Sequence, residues 1–199
     1  RDHSELLFKY LKLPIKISKK KNYDLIKIKG GKKIPSINYK IPADISSSAF
    51  FIVLTALSKN SKLKINNINI NPSRTGILNI LKIMKVKIKV VNKRKYKGEH
   101  IADLVIHGSK KFKSINCPIK FNSAAIDEFL LIFLIAAKAD GISYFKNLSE
   151  LNKKESPRLK WGSKILNKIG IKNFVTNNSI KIYGNPDIEV KKKIVIKNF

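Results

Sequence analysis

Three stretches of this chain follow one plan: an amphipathic helical segment ending in a basic turn, an alternating strand, a polar turn and a second alternating strand. They are residues 6–29 (LLFKYLKLPIKI, then DLIKIK), 77–107 (ILNILKIMKVKIKV, then ADLVIH) and 164–183 (KILNKIGIKNFV, then SIKIY). Such self-similarity constrains the fold more than any single motif, because each unit buries its apolar side against its neighbours. The second and third copies are preceded by a longer, more apolar helical segment and a further strand. Residues 47–57 (SSAFFIVLTAL) lead into KLKINNINI, and residues 126–139 (IDEFLLIFLIAAKA) lead into ISYFKNL. A complete unit therefore reads strand, helix, strand, helix, strand, strand, and the first copy is only the tail of one.

The two leading helices are apolar nearly all round, which predicts that they lie inside their domain. The strands instead alternate: Lys62, Lys64 and Asn66 with Leu63 and Ile65, and Lys27 and Lys29 with Ile26 and Ile28. One polar and one apolar face per strand places the sheets outside. The expected class is α/β (α+β), built of repeated βαβαββ units with helices buried and sheets outside. A boundary is expected between residues 30 and 40, a stretch rich in Gly, Lys, Pro and Ser.

With 199 residues and 43% apolar content, the chain can bury a real core. Its formal charge of +29 would point to a nucleic-acid partner if the basic residues were clustered. They are not: arginine occurs only at positions 1, 74, 94 and 158, and the lysines are spread along the whole chain together with abundant Ile and Asn. That is the signature of an AT-rich coding sequence, so no nucleic-acid partner is expected. Cys117 stands alone, which excludes a disulfide framework and indicates a reducing compartment. His3, His100 and His107 lack metal-ligand spacing, so no metal site is expected. The longest apolar run, residues 129–137, is shorter than the roughly 20 residues of a membrane span. A cytoplasmic protein is expected, one whose ends continue into a longer chain, since it opens on Arg1 and its one methionine is Met84.

Four segments can carry chemistry. In IPADISSSAFF (residues 41–51), Asp44, Ser46 and Ser47 precede a buried helix, where side-chain oxygens accept its first amide hydrogens. In NPSRTG (residues 71–76), Pro72 and Ser73 read as turn and cap, while Arg74 meets either an anion or a carboxylate. Asp127 and Glu128 open a hydrophobic helix, either as complements of its dipole or with one of them as a proton acceptor fixed at a cleft. KKESPR (residues 153–158) is either a solvated charged loop or a set of groups around a phosphorylated, carboxylated substrate.

In order and spacing these segments resemble EPSP synthase, most of all its class II form. Arg1 to Glu5 resemble the family's RDHTE, residues 42–51 its PGDxSSAAFF, residues 71–76 its NPTRTG, residues 126–128 the IDE of its catalytic aspartate, and residues 150–158 its ELRVKESDR. The similarity runs from Arg1 to about Gly184. Ala43 replaces the family glycine and Pro157 the aspartate before Arg158. The resemblance implies two domains of three βαβαββ units each. Residues 1–40 would end the first domain and residues 41–199 would form two of the three units of the second.

It also implies transfer of the enolpyruvyl group of phosphoenolpyruvate (PEP) to the 5-hydroxyl of shikimate 3-phosphate. Asp127 would hold and deprotonate that hydroxyl, and Glu155 would be proton donor and acceptor at the PEP methylene. Arg158 would bind PEP, Lys154 would contact shikimate 3-phosphate, and Arg1 would reach its phosphate from the first domain. The resemblance implies no metal or organic cofactor, and a monomer. The alternatives are UDP-N-acetylglucosamine enolpyruvyl transferase, of the same fold, and a basic nucleic-acid-binding module. The latter needs stacking aromatics beside its cations.

Overall fold

A computed structural model describes residues 1–190 and residue 194. From residue 43 onward it shows the expected unit twice. In the first, Ala43 makes a parallel bridge to Ile68, followed by α2 (Ile45–Leu57), β3 (Lys62–Asn69), α3 (Gly76–Ile83), β4 (Lys87–Tyr96) and β5 (Glu99–His107). The sheet runs β3-β5-β4, antiparallel throughout, with Leu63 and Ile88 both opposite Ile106. In the second, Asn116 bridges Tyr144 in parallel, followed by α4 (Phe129–Ala137), β8 (Ile142–Phe145), α5 (Arg158–Lys168), β9 (Asn173–Val175) and β10 (Ile180–Tyr183). Its sheet runs β8-β10-β9, the same order. A short parallel pair, β6 (Phe112–Lys113) with β7 (Ala139–Asp140), links the units.

The helices meet centrally, α4 packing on α2, α3 and α5. Phe129, Phe133 and Phe145 lie 5.2 to 6.0 Å apart by ring centroid within one apolar cluster that draws on both units. The alternation in β3 puts Lys62, Lys64 and Asn66 outside and Leu63, Ile65 and Ile68 toward the helices. Two irregularities in the first sheet converge on Asp103. Its carboxylate accepts from the Asn67 amide at 3.0 Å and from Asn92 Nδ2 at 2.8 Å, fastening bulges where Asn67 and Asn92 both adopt positive φ.

Two helix expectations are corrected. α2 is not buried all round: Ile45, Ser48, Ala49, Ile52, Val53 and Ala56 face inward at helical spacing, but Phe50, Phe51 and Leu54 are 60–64% exposed. The helix expected over residues 126–139 begins only at Phe129, after two 3-10 turns (Ile119–Phe121 and Ser123–Ala125), so Asp127 and Glu128 stand in a turn ahead of it. α1 (His3–Tyr10) buries none of its residues, and it leads into a hairpin of β1 (Ile15–Lys19) and β2 (Asp24–Ile28). Residues 29–42 form no helix or strand. No helix among the described residues is long and apolar enough to cross a membrane.

Gly76 explains how the two units approach so closely. A Cβ built there would lie 2.7 Å from Phe121 O and from Ala124 C, and 2.8 Å from Ala125 N, all backbone atoms of the turns that lead to Asp127. Backbone cannot step aside as a side-chain tip can, so Gly76→Ala is expected to destabilise the protein by about 1–3 kcal/mol. Urea denaturation checks this, and an unchanged midpoint would mean that the contact yields freely.

Candidate active site

Each expected site residue lies at a helix start or within the four residues before one. Asp127 is presented by the turn before α4, which Asn122 anchors by donating from Nδ2 to Lys146 O (2.8 Å) and Asn147 O (3.1 Å) at the end of β8. Lys154 and Glu155 follow a 3-10 turn (Ser149–Lys153), and Arg158 is the first residue of α5. Pro157 stands at the helix cap with φ −74°, and its carbonyl accepts from the Trp161 amide at 3.1 Å. Proline suits a helix entrance, where an amide hydrogen has no intrahelical partner. Ala43 has no positive φ, so a β-carbon is tolerated there.

The structure brings all five residues into one ion-pair cluster. Arg1 Nη2 donates to Asp127 Oδ2 at 2.9 Å across 126 positions of sequence. Lys154 Nζ and Arg158 Nη1 approach Asp127 Oδ1 at 3.5 and 3.4 Å, and Arg158 Nη2 donates to Glu155 Oε2 at 2.7 Å. Burial pushes the Asp127 carboxyl up, but the Arg1 hydrogen bond and the Lys154 and Arg1 charges outweigh it and hold the group below its usual range. Glu155, 80% exposed, is also held low, by its own backbone amide first and then by Arg158. Both groups are therefore carboxylates at neutral pH.

The other two helix-entry motifs, residues 41–51 and 71–76, border this cluster. Asp44 caps α2, accepting from the Ser47 amide at 2.8 Å. Arg74 meets a carboxylate, Asp44 Oδ1 at 2.5 Å, and also reaches Ser46 Oγ at 2.9 Å. Ser73 does not cap α3: its amide and hydroxyl both donate to Asn71 Oδ1, at 2.9 and 2.8 Å. Arg1, Asp2 and His3 each reach a different element, because Asn71 Nδ2 donates to Asp2 Oδ1 (2.7 Å) and His3 Nδ1 lies 2.6 Å from Glu99 Oε1. A concavity of about 880 Å³ lies past the carbonyl ends of α2 and α3 and contains none of the five residues. It is lined by Lys59, Lys62, Lys85, Lys87, Lys110 and Lys111, and by no Phe, Tyr or Trp. Ammonium groups there complement the helix C-termini.

A family model for EPSP synthase (3-phosphoshikimate 1-carboxyvinyltransferase) matches residues 1–194. A 3-phosphoshikimate 1-carboxyvinyltransferase of Ruthia magnifica subsp. Calyptogena magnifica is 36% identical over 92% of this chain and 41% of its own length. That of Legionella pneumophila (strain Corby) is 39% identical over 86% of this chain and 38% of its own length. The chain thus spans about two fifths of the relatives it matches. The structure of EPSP synthase from Acinetobacter baumannii superposes with a TM-score of 0.85 at 36% identity, covering 92% of this chain and 40% of that one. The enolpyruvyl transferase NikO from Streptomyces tendae, at 15% identity and a TM-score of 0.62, shares the fold. Repeated units, motif order and these matches agree, and the chain belongs to the EPSP synthase family.

Proposed function

We propose that this chain carries part of an active site that transfers the enolpyruvyl group of PEP to the 5-hydroxyl of shikimate 3-phosphate, releasing phosphate. The observation that carries the reading is the gathering of Arg1, Asp127, Lys154, Glu155 and Arg158 from three distant segments into one charged cluster. In this reading residues 1–40 end the first domain and residues 41–199 supply two of the three units of the second. The support is that α1 buries no residue whereas one core spans both later units. In this reading the protein acts on small molecules as a cytoplasmic monomer, and its lone, buried Cys117 leaves no disulfide framework to argue for an oxidising compartment.

Asp127 accepts the proton of the 5-hydroxyl as that oxygen attacks C2 of PEP, and Glu155 delivers a proton to C3. The tetrahedral adduct then loses phosphate, which carries off the proton held by Asp127, while Glu155 takes a proton back from C3, restoring the C2–C3 double bond and leaving the enol ether. Glu155 must be protonated before it can donate, yet its own backbone amide and then Arg158 hold it ionised. The two requirements meet if Arg158 turns to the PEP carboxylate. Glu155 then loses its cation, faces added negative charge, and its pKa rises. Lys154 and Arg1 turn to shikimate 3-phosphate in the same way, so binding exchanges internal ion pairs for external ones.

The test is phosphate release by the full-length protein. It is expected only with PEP and shikimate 3-phosphate together. Equal release with UDP-N-acetylglucosamine in place of shikimate 3-phosphate would transfer the assignment to the other enolpyruvyl transferase.

A further inference from the structure

Glu128 is 2% exposed and has no part in the chemistry above. Its amide donates to Ala125 O, and its carbonyl accepts from the Leu131 and Ile132 amides, each at 3.0 Å, so it is the residue on which α4 begins. Its side chain turns inward, where Oε1 accepts a short hydrogen bond from Ser46 Oγ. The same hydroxyl receives Arg74, which in turn holds Asp44, the cap of α2. One polar chain therefore ties the starts of α2 and α4 through the loop before α3. Its last link is the sequence neighbour of Asp127.

We propose that Glu128 is a positioning residue for Asp127, fixed by Ser46, Arg74 and Asp44. The proposal rests on the reading of Asp127 as the base. Adjacent residues in a tight turn cannot orient independently: anchoring the Glu128 carboxylate in the interior sets the turn and leaves Asp127 facing Arg1, Lys154 and Arg158. An apolar residue would fill the same space without direction, whereas a buried carboxylate is tolerated only where its hydrogen bonds are made. Burial raises the Glu128 carboxyl, the Ser46 hydrogen bond opposes it, the Asp127 charge adds to the rise, and Arg74 and Arg1 lower it.

The experiment is a double-mutant cycle in the full-length protein, read as turnover of PEP and shikimate 3-phosphate. Glu128→Ala is expected to lower kcat about 10²-fold, the size of loss that a misplaced catalytic group brings. Glu128→Gln, which keeps the acceptor for Ser46, recovers most of that loss. In an Asp127→Asn background, Glu128→Ala adds no more than about twofold, because it has no carboxylate left to orient. Ser46→Ala severs the same tie and is expected to reproduce this pattern even if Glu128→Ala folds poorly. An equal loss in both backgrounds would make the role merely structural and overturn the proposal. So would a normal kcat for Glu128→Ala beside an impaired Asp127→Asn, and that outcome leaves the base assignment standing. A normal kcat for Asp127→Asn removes both.

Discussion

Asp127→Asn in the full-length protein is expected to cut turnover roughly 10²- to 10⁴-fold, the contribution of a positioned proton acceptor, while the protein still folds. The amide keeps the shape of the side chain and can still meet Arg1, Lys154 or Arg158 through its oxygen. It cannot take up a proton from a hydroxyl. The accompanying change in stability has a definite sign. The Asp127 carboxyl is lower in the folded protein than its ordinary value, so its ion pairs stabilise the fold above the unfolded pKa. That contribution disappears as pH falls through the folded pKa. Parent and variant should therefore differ in melting temperature at neutral pH, begin to converge as pH falls below about 4, and meet once it is under the lowered folded pKa. Steady-state kinetics and thermal melts check the two halves separately, and near-normal turnover would sink the base assignment.

Residues 1–199 expressed alone are expected to show no measurable turnover, despite containing both proposed proton-transfer groups. The reason is a charge balance. Three cations, Arg1, Lys154 and Arg158, share the cluster with two carboxylates, Asp127 and Glu155, so only one positive charge is uncompensated. PEP and shikimate 3-phosphate each bring a carboxylate and a phosphate. Neutralising both calls for cations from the remainder of a protein of the relatives' length, since the chain covers 41% of the relative described first. Without them the carboxylates repel the substrates they must orient. The exposed Phe50, Phe51 and Leu54 face of α2 adds a second expectation, that the isolated piece self-associates. Sedimentation reads the second, and phosphate release reads the first. Turnover close to that of the full-length protein would show that the chemistry needs no further cations.

The repeat was legible because alternation in the strands and helical periodicity in the smaller helices each leave a mark on the sequence. The gathering of the site was partly legible too: Asp127 precedes α4 and Arg158 opens α5, the two helices of one unit, whose N-terminal ends come together. What failed to show had no periodic signature. SSAFFIVLTAL is apolar in every direction, so nothing in it tells the face with Ile52 from the face with Phe51. The turn that delays α4 to Phe129 is built from Asn122 and its backbone acceptors, 24 and 25 residues away. Ser46 and Arg74 were visible as a helix entrance and a lone arginine, but that they meet each other and Glu128 depends on how the units dock. Gly76 is an ordinary helix start until the backbone of residues 121–125 is set against it.

The tripeptide Arg1-Asp2-His3 has a thermodynamic consequence. Three successive side chains, each tied to a different part of the molecule, hold a helix that buries none of its own residues. Parting such a joint exposes little apolar surface, so it should carry only a small change in heat capacity. Its equilibrium would then be nearly flat with temperature but responsive to ionic strength, which screens the partly exposed Arg1–Asp127 pair over about 10 Å at 0.1 M salt. A seam of packed leucines would behave the other way round. A polar joint can open and reclose at the temperature of growth without the exposed greasy surface that invites aggregation, and its set point follows the salt and anions around it.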